Sequence, residues 1–98
     1  MYQLIVRPLA VEQARKQFVW YEEKRTGLGE DFLLSIEACL NYIQRTPFVF
    51  QKKIKDIRIG LPDKFPFGIF YIVDNDKIIV LAIFYLGQNP KLFEKLKK

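Results

Sequence analysis

The hydrophobic pattern of this chain changes its period once, near residue 50, and that switch limits the architectures open to it. From Leu9 to about Arg25, Val11, Ala14, Phe18 and Tyr21 recur at three- and four-residue spacing, with Glu12, Arg15, Lys16 and Glu22 on the other side. This spacing predicts an amphipathic helix with one apolar stripe. Thr26-Gly27-Leu28-Gly29 breaks it, because two close glycines let the chain reverse. A second helix is expected from about Glu30 to Arg45, with Phe32, Leu33, Ile36, Leu40 and Ile43 along its stripe. Glu30 and Asp31 suit the positive end of its dipole and Arg45 the negative end. Pro47 stops it. Helices joined by so short a link should pack as an antiparallel hairpin.

On either side of this helical block the period is two. Tyr2, Leu4 and Val6 alternate in a short first strand that ends at Pro8, a residue suited to a helix's first turn. Ile54 to Leu61 reads as a strand in which Ile57, Ile59 and Leu61 alternate against Asp56, Arg58 and Gly60. Phe67 to Asp74 and Lys77 to Tyr85 are apolar on both faces, as in central strands. Phe65, Phe67, Ile69, Tyr71 and Val73 share one face of the first run, and Phe70 and Ile72 share the other. Pro62-Asp63 marks a turn, and Asn75-Asp76 has the length of a two-residue hairpin loop. Asn89 and Pro90 look like the cap and first residue of a short lysine-rich helix.

The fold class that follows is α+β. An N-terminal strand, an antiparallel helical hairpin and a three-stranded antiparallel meander form one sheet with the first strand, and a short C-terminal helix closes the chain. The hairpin covers one face of the sheet. The other is open or covered by a partner. At 98 residues the chain is the size of one domain.

The net charge is +5 and lies entirely in one half. Residues 1–50 hold six basic and six acidic side chains, whereas residues 51–98 hold ten and five. A one-sided basic half suits an anionic partner, either nucleic acid or an acidic protein surface. It equally suits a solvated lysine surface that maintains solubility. Charge alone leaves both open.

Several kinds of chemistry lack their residues. There is no histidine, so Ser-His and Cys-His nucleophiles and imidazole metal sites are excluded. The single Cys39 can neither form an internal disulfide nor build a zinc site, and it fits a small buried thiol beside the second helix's stripe. No Walker-type or dinucleotide glycine loop is present. No cofactor and no metal are expected. The longest apolar run, Ile78 to Leu86, is strand length, and there is no signal-peptide pattern, so a reduced, cytoplasmic protein with no membrane partner is expected. What remains is basic and aromatic: Lys52, Lys53, Lys55 and Arg58, then Lys64, then Lys91, Lys95, Lys97 and Lys98. Cations with tyrosines can cleave RNA without a metal. They serve equally as a docking surface or as ordinary exposed lysines. Trp20 lies off the helical stripe, a position open either to solvent or to packing, and packing against the strands is the role expected of it.

The order of elements and several local motifs resemble the RelE/ParE toxin superfamily, on its ParE-like side. Tyr2-Gln3-Leu4-Ile5-Val6-Arg7-Pro8-Leu9-Ala10 resembles the family's first strand running through a proline–small motif into a helix. Trp20-Tyr21 followed by Gly29-Glu30-Asp31-Phe32 resembles its hairpin, and Thr46-Pro47 the proline after the second helix. Ile57-Arg58 and Phe65-Pro66-Phe67-Gly68-Ile69-Phe70-Tyr71 resemble the arginine strand and the strand that follows it. Val80-Leu81-Ala82-Ile83-Phe84 is similar to the last strand, and Asn89-Pro90-Lys91-Leu92-Phe93 to the closing motif.

The resemblance covers nearly the whole chain and implies a single toxin domain over residues 1–98. It implies the toxin of a bacterial type II toxin–antitoxin system, neutralised by a cognate antitoxin protein and acting on a protein target such as DNA gyrase. Such a toxin needs no catalytic set. An alternative within the family is a RelE-type messenger-RNA endoribonuclease that works with the ribosome. Lys53, Lys55, Arg58 and Tyr85 would then be catalytic, Arg58 holding the phosphate, a lysine stabilising charge and Tyr85 moving a proton. The sequence departs from the family pattern at Tyr85, where many ParE-like members have histidine, and at Gln88, where they have arginine. These departures motivate a third reading, an inactive toxin that still binds antitoxin. Lys52, Lys64, Gln88, Phe93 and Lys95 are the residues expected at the target or antitoxin surface. Strand faces left uncovered by the hairpin should attract an amphipathic helix or an added strand.

Overall fold

A computed structural model describes residues 2–87. Within them the chain runs β1 (Gln3–Val6), α1 (Pro8–Lys24), α2 (Leu28–Arg45), β2 (Lys52–Ile54), β3 (Ile57–Gly60), β4 (Phe67–Asp74) and β5 (Lys77–Tyr85). The strands form one sheet in the order β1-β5-β4-β3-β2. β1 runs parallel to β5, and every other pairing is antiparallel. The architecture is therefore the α+β arrangement read from the sequence, with one strand more than expected. The closing helix expected from Asn89, together with Gln88, Phe93 and Lys95, lies outside the described residues.

The additional strand, β2, precedes the segment Ile54 to Leu61 and shares only Ile54 with it, because a turn interrupts that segment near its start. Lys55 and Asp56 form a two-residue turn, Lys55 takes a positive φ of 50°, and Ile54 pairs with Ile57 across it. Tight hairpins need left-handed backbone and are usually marked by glycine or asparagine. Here a lysine takes that conformation, and the isoleucines on either side continue the alternation, so the turn leaves no compositional mark. The expected hairpin at Asn75-Asp76 is present, with Asn75 at φ 55°.

The helices lie on one face of the sheet. Phe32, Ile36, Cys39 and Ile43 of α2 are buried against Phe67, Ile69 and Tyr71 of β4 and Ile78, Val80 and Ile83 of β5. Leu33 and Leu40 are partly buried at the margins of that stripe. The α1 stripe keeps Ala14 and Tyr21 against the core, but its first position is Ala10 rather than Val11. Ala10 is fully buried, whereas Val11 is 53% exposed. Alanine lets the backbone of α1 approach the sheet closely, and Gln13 on the same turn reaches β5, its Oε1 accepting from the Ile83 amide at 2.8 Å.

Trp20 does not pack against the strands. It is half exposed, with its ring edge-on to Tyr21 and the Lys24 ammonium 4.8 Å from its centre. Tyr21 takes the inward position instead. It meets Phe32, Phe65 and Phe67 with ring centroids 5.1 to 6.3 Å apart.

The helix reversal depends on two glycines and one carboxylate. Gly27 adopts φ 91°, a left-handed conformation that favours glycine. Gly29 lies where α2 crosses α1, and a Cβ there would come within 2.6 Å of the Phe18 carbonyl oxygen. Glu22, on the last turns of α1, accepts from the Gly27 amide at 3.0 and 3.1 Å and from the Gly29 amide at 2.9 Å. It does for the start of α2 what a local cap residue would do, satisfying helix-start amides that have no partner within the helix. Glu22→Ala should destabilise the fold by about 1–2 kcal/mol in urea denaturation, the scale of a lost cap. Glu22→Gln should recover part of this, because the amide oxygen still accepts one bond.

Candidate functional site

The sheet separates the candidate residues into two groups. At one end the β2–β3 hairpin gathers Lys52, Lys53, Lys55 and Arg58. Lys52 and Arg58 are register partners. The Lys52 ammonium lies 3.5 Å from Asp56, and Lys53 reaches Gln51 at 3.4 Å. Lys55 is exposed at the turn. Beside the hairpin is a recess of about 500 Å³ lined by Phe48, Lys52, Asp56, Arg58, Ile72, Val73 and Asp74. Its two carboxylates offset its two cations.

Arg58 faces the helical side, level with Tyr71. Its guanidinium donates to the Phe50 carbonyl at 2.6 Å and lies 5.1 Å from the centre of the Phe48 ring. It therefore fastens the loop that follows α2 to the sheet. Tyr71 supports the same loop from below. It is fully buried, and its hydroxyl donates to the Pro47 carbonyl at 2.8 Å. Burial pushes the phenol up from 10.0 to about 12, although the Arg58 charge acts in the opposite direction. Tyr71 therefore stays protonated and anchors the loop rather than moving protons.

Tyr85 stands at the other end. It closes β5 opposite Phe67, with the two rings 5.1 Å apart, and is 37% exposed. On β4, Phe67 and Tyr71 are four residues apart, which places Tyr85 roughly 13 Å along the strand direction from the level of Arg58. The structure thus brings Lys52, Lys53, Lys55 and Arg58 together and leaves Tyr85 apart from them.

Lys64 belongs to neither group. It sits at φ 71° in the loop between β3 and β4, on the rim of the larger recess, a groove of about 950 Å³ between that loop and the outer side of α2. Leu34, Ala38 and Tyr42 of α2 form one wall of the groove, and Leu61 and Phe65 lie opposite. Ser35 ties the loop to α2, its hydroxyl donating to the Asp63 carbonyl at 2.6 Å. Arg25 and Lys64 contribute positive charge, Asp31 and Asp63 negative. Leu34 is 58% exposed. The α2 stripe read from the sequence is the one turned to the sheet; this second, outward row also recurs at four-residue spacing and becomes a groove only because the loop folds beside it. Cys39 lines the groove floor but is buried, and burial, then the Asp63 charge, pushes its thiol up from 9.0 to about 12. It has the inert character expected of a packed cysteine.

The second face of the sheet carries Ile57, Ile59, Phe70 and Ile72 from β3 and β4, with Phe84 of β5 beside Phe70. Among the described residues no helix packs there, and Phe84 is 52% exposed. No cluster of three or more metal-ligating side chains occurs among the described residues. None of the described helices is long and apolar enough to cross a membrane.

Several chains of solved structures share this fold. A chain of a solved structure described as the chromosomal ParDE toxin–antitoxin system from P. aeruginosa matches with a TM-score of 0.66 at 15% identity, covering 87% of this chain and 96% of that one. No family model and no curated protein matches the sequence. The protein shares the fold of that ParDE chain over nearly its full length.

Two buried acids, Cys39 and Tyr71, contribute to the alkaline behaviour. Both have folded-state pKa values above their ordinary ones, so their contribution is complete below about pH 9 and is lost as pH rises through the folded values. Denaturation midpoints should be level below pH 9 and fall between pH 9 and 12, and the double variant Cys39→Ala/Tyr71→Phe should flatten that slope. Arg58→Ala should cost about 1–3 kcal/mol by loosening the loop it holds, as expected for a charged hydrogen bond. Arg58→Lys should not restore it, since an ammonium lacks the planar fork.

Proposed function

We propose that this chain is the toxin of a bacterial type II toxin–antitoxin system, a cytoplasmic growth inhibitor neutralised by a cognate antitoxin and acting by binding a protein target such as DNA gyrase. The fold it shares with a chain of a ParDE system supports the toxin assignment. The observation that favours a binding action over RNA cleavage is the separation of Tyr85 from the cationic hairpin. A phosphoryl-transfer site needs its proton-moving group within hydrogen-bond reach of the phosphate that the cations hold. Here the nearest tyrosine to Arg58 in register is Tyr71, which is buried, protonated and engaged with the Pro47 carbonyl. The guanidinium that would hold a phosphate already holds a backbone carbonyl. A docking surface requires no such convergence, and the hairpin, the groove beside α2 and the second sheet face all offer one.

Induced expression without an antitoxin should stop bacterial growth, and the purified protein should inhibit supercoiling by DNA gyrase while messenger RNA stays intact. Growth arrest with cleaved messenger RNA would assign the ribonuclease reading instead. Uninterrupted growth would identify an inactive toxin.

A further inference from the structure

The outward row of α2 maps onto itself when the helix is reversed end for end. Its centre is Ala38, which is exposed. Leu34 and Tyr42 lie four residues before and after it, and Asp31 and Arg45 seven. Intervals of three, four and seven residues place all five on one side of a helix. Leu34 is 58% exposed and Tyr42 41%, and Asp31 and Arg45 are exposed as well. The Tyr42 ring is held edge-on by Phe50, with centroids 6.0 Å apart, so its position is set before any contact is made.

A second α2 laid antiparallel over the first, centred on Ala38, matches this row position by position. Leu34 meets Tyr42 of the second copy, and Tyr42 meets its Leu34. Asp31 meets Arg45 of the second copy at one end, and the same pair forms again at the other, roughly 10 Å from the centre at the helical rise per residue. The small side chain at the centre lets the two helices approach closely. A parallel arrangement would set Asp31 against Asp31 and Arg45 against Arg45, which is repulsive at both ends. Within its own chain Asp31 lies 4.0 Å from Arg25, and both side chains are more than half exposed. Such a pair contributes little in water, so Asp31 can exchange it for the second copy's Arg45.

Charge also selects this face for contact between copies. The chain carries +5, and the whole excess lies in residues 51–98. Helix α2 instead holds Glu30, Asp31 and Glu37 against Arg45, with no lysine. Two copies repel least where each presents this helix to the other.

We propose that two copies of this chain associate across a two-fold axis at Ala38, through the outward row of α2, with Asp31 and Arg45 closing both ends. The pairing rests on the pattern of α2 and not on the function proposed above. One helix face is small by the standard of stable interfaces, so the pair forms reversibly.

Sedimentation equilibrium of the whole chain, in a series reaching about 1 mM, should show monomers and dimers exchanging. Ala38→Glu places carboxylates face to face at the axis and should raise the dissociation constant roughly tenfold or more. Asp31→Arg and Arg45→Asp should each weaken the dimer by roughly threefold or more, and the double variant should recover it. Both changes oppose the dipole of α2 and lower stability in urea, so recovery in the double variant separates pairing from folding. A chain that stays monomeric, leaving this row to a partner of another sequence, would overturn the proposal. So would a dimer indifferent to Ala38→Glu, or a double variant no tighter than the single ones.

Discussion

Aromatic packing at one corner of the molecule connects all of its layers. Tyr21 of α1, Phe32 of α2, Phe65 of the loop before β4, Phe67 of β4 and Tyr85 of β5 form a continuous set of ring contacts, the closest being Phe32 to Phe67 at 4.9 Å. Such rings combine large buried areas with preferred tilted and edge-on geometries, so the corner fixes the angle of the helical hairpin on the sheet. From it the stripe Ile36, Cys39 and Ile43 runs along α2 over Ile69 and Tyr71. The Glu22 carboxylate, which holds the reversal between the helices, secures the same corner from outside.

Because the corner is packed, the opposite end of the sheet is the freer one. There the chain after α2 is held by a guanidinium and a phenol, each bonded to a loop carbonyl. The β2–β3 hairpin beyond that loop adds no residue to the cluster beneath the helices, its one buried isoleucine, Ile59, lying on the other face. Its residues carry lysines and exposed apolar side chains, a combination that suits contact with another macromolecule. Arg58 links the two regions. It reaches inward to hold the loop and bears charge in the hairpin, so a change there alters stability and surface together.

The two faces of β4 were legible in the sequence to the level of single residues, whereas β5 changes parity at an irregularity around Leu81. Phe67, Ile69 and Tyr71 turn to the helices, while Phe70 and Ile72 turn away, because strict alternation leaves no other choice once a strand is recognised. The helical hairpin and its apolar stripe on α2 followed from spacing in the same way. The turn at Lys55-Asp56 was hidden, since neither residue signals left-handed backbone and the alternation continues across it. Trp20 and Val11 were misplaced for a related reason. Helical spacing defines a stripe only to within about one position in a turn, and the choice between Ala10 and Val11 belongs to the surface they meet, as does the contact of Trp20, off the stripe, with Tyr21 and Lys24 rather than with the strands. Gln88, Phe93 and Lys95 lie outside the described residues, so their part of the surface is judged from sequence alone.

The sequence by itself determined which elements form and which side of each is apolar, because periodicity and turn residues act over a few neighbours in the chain. It also determined the absence of imidazole chemistry and the concentration of positive charge in the second half. Only the tertiary structure decided which charged and aromatic groups meet. Tyr85 and Arg58 sit on strands two places apart in the sheet order and at different levels along them. Such distances depend on register and packing between segments remote in sequence, and no local pattern encodes them.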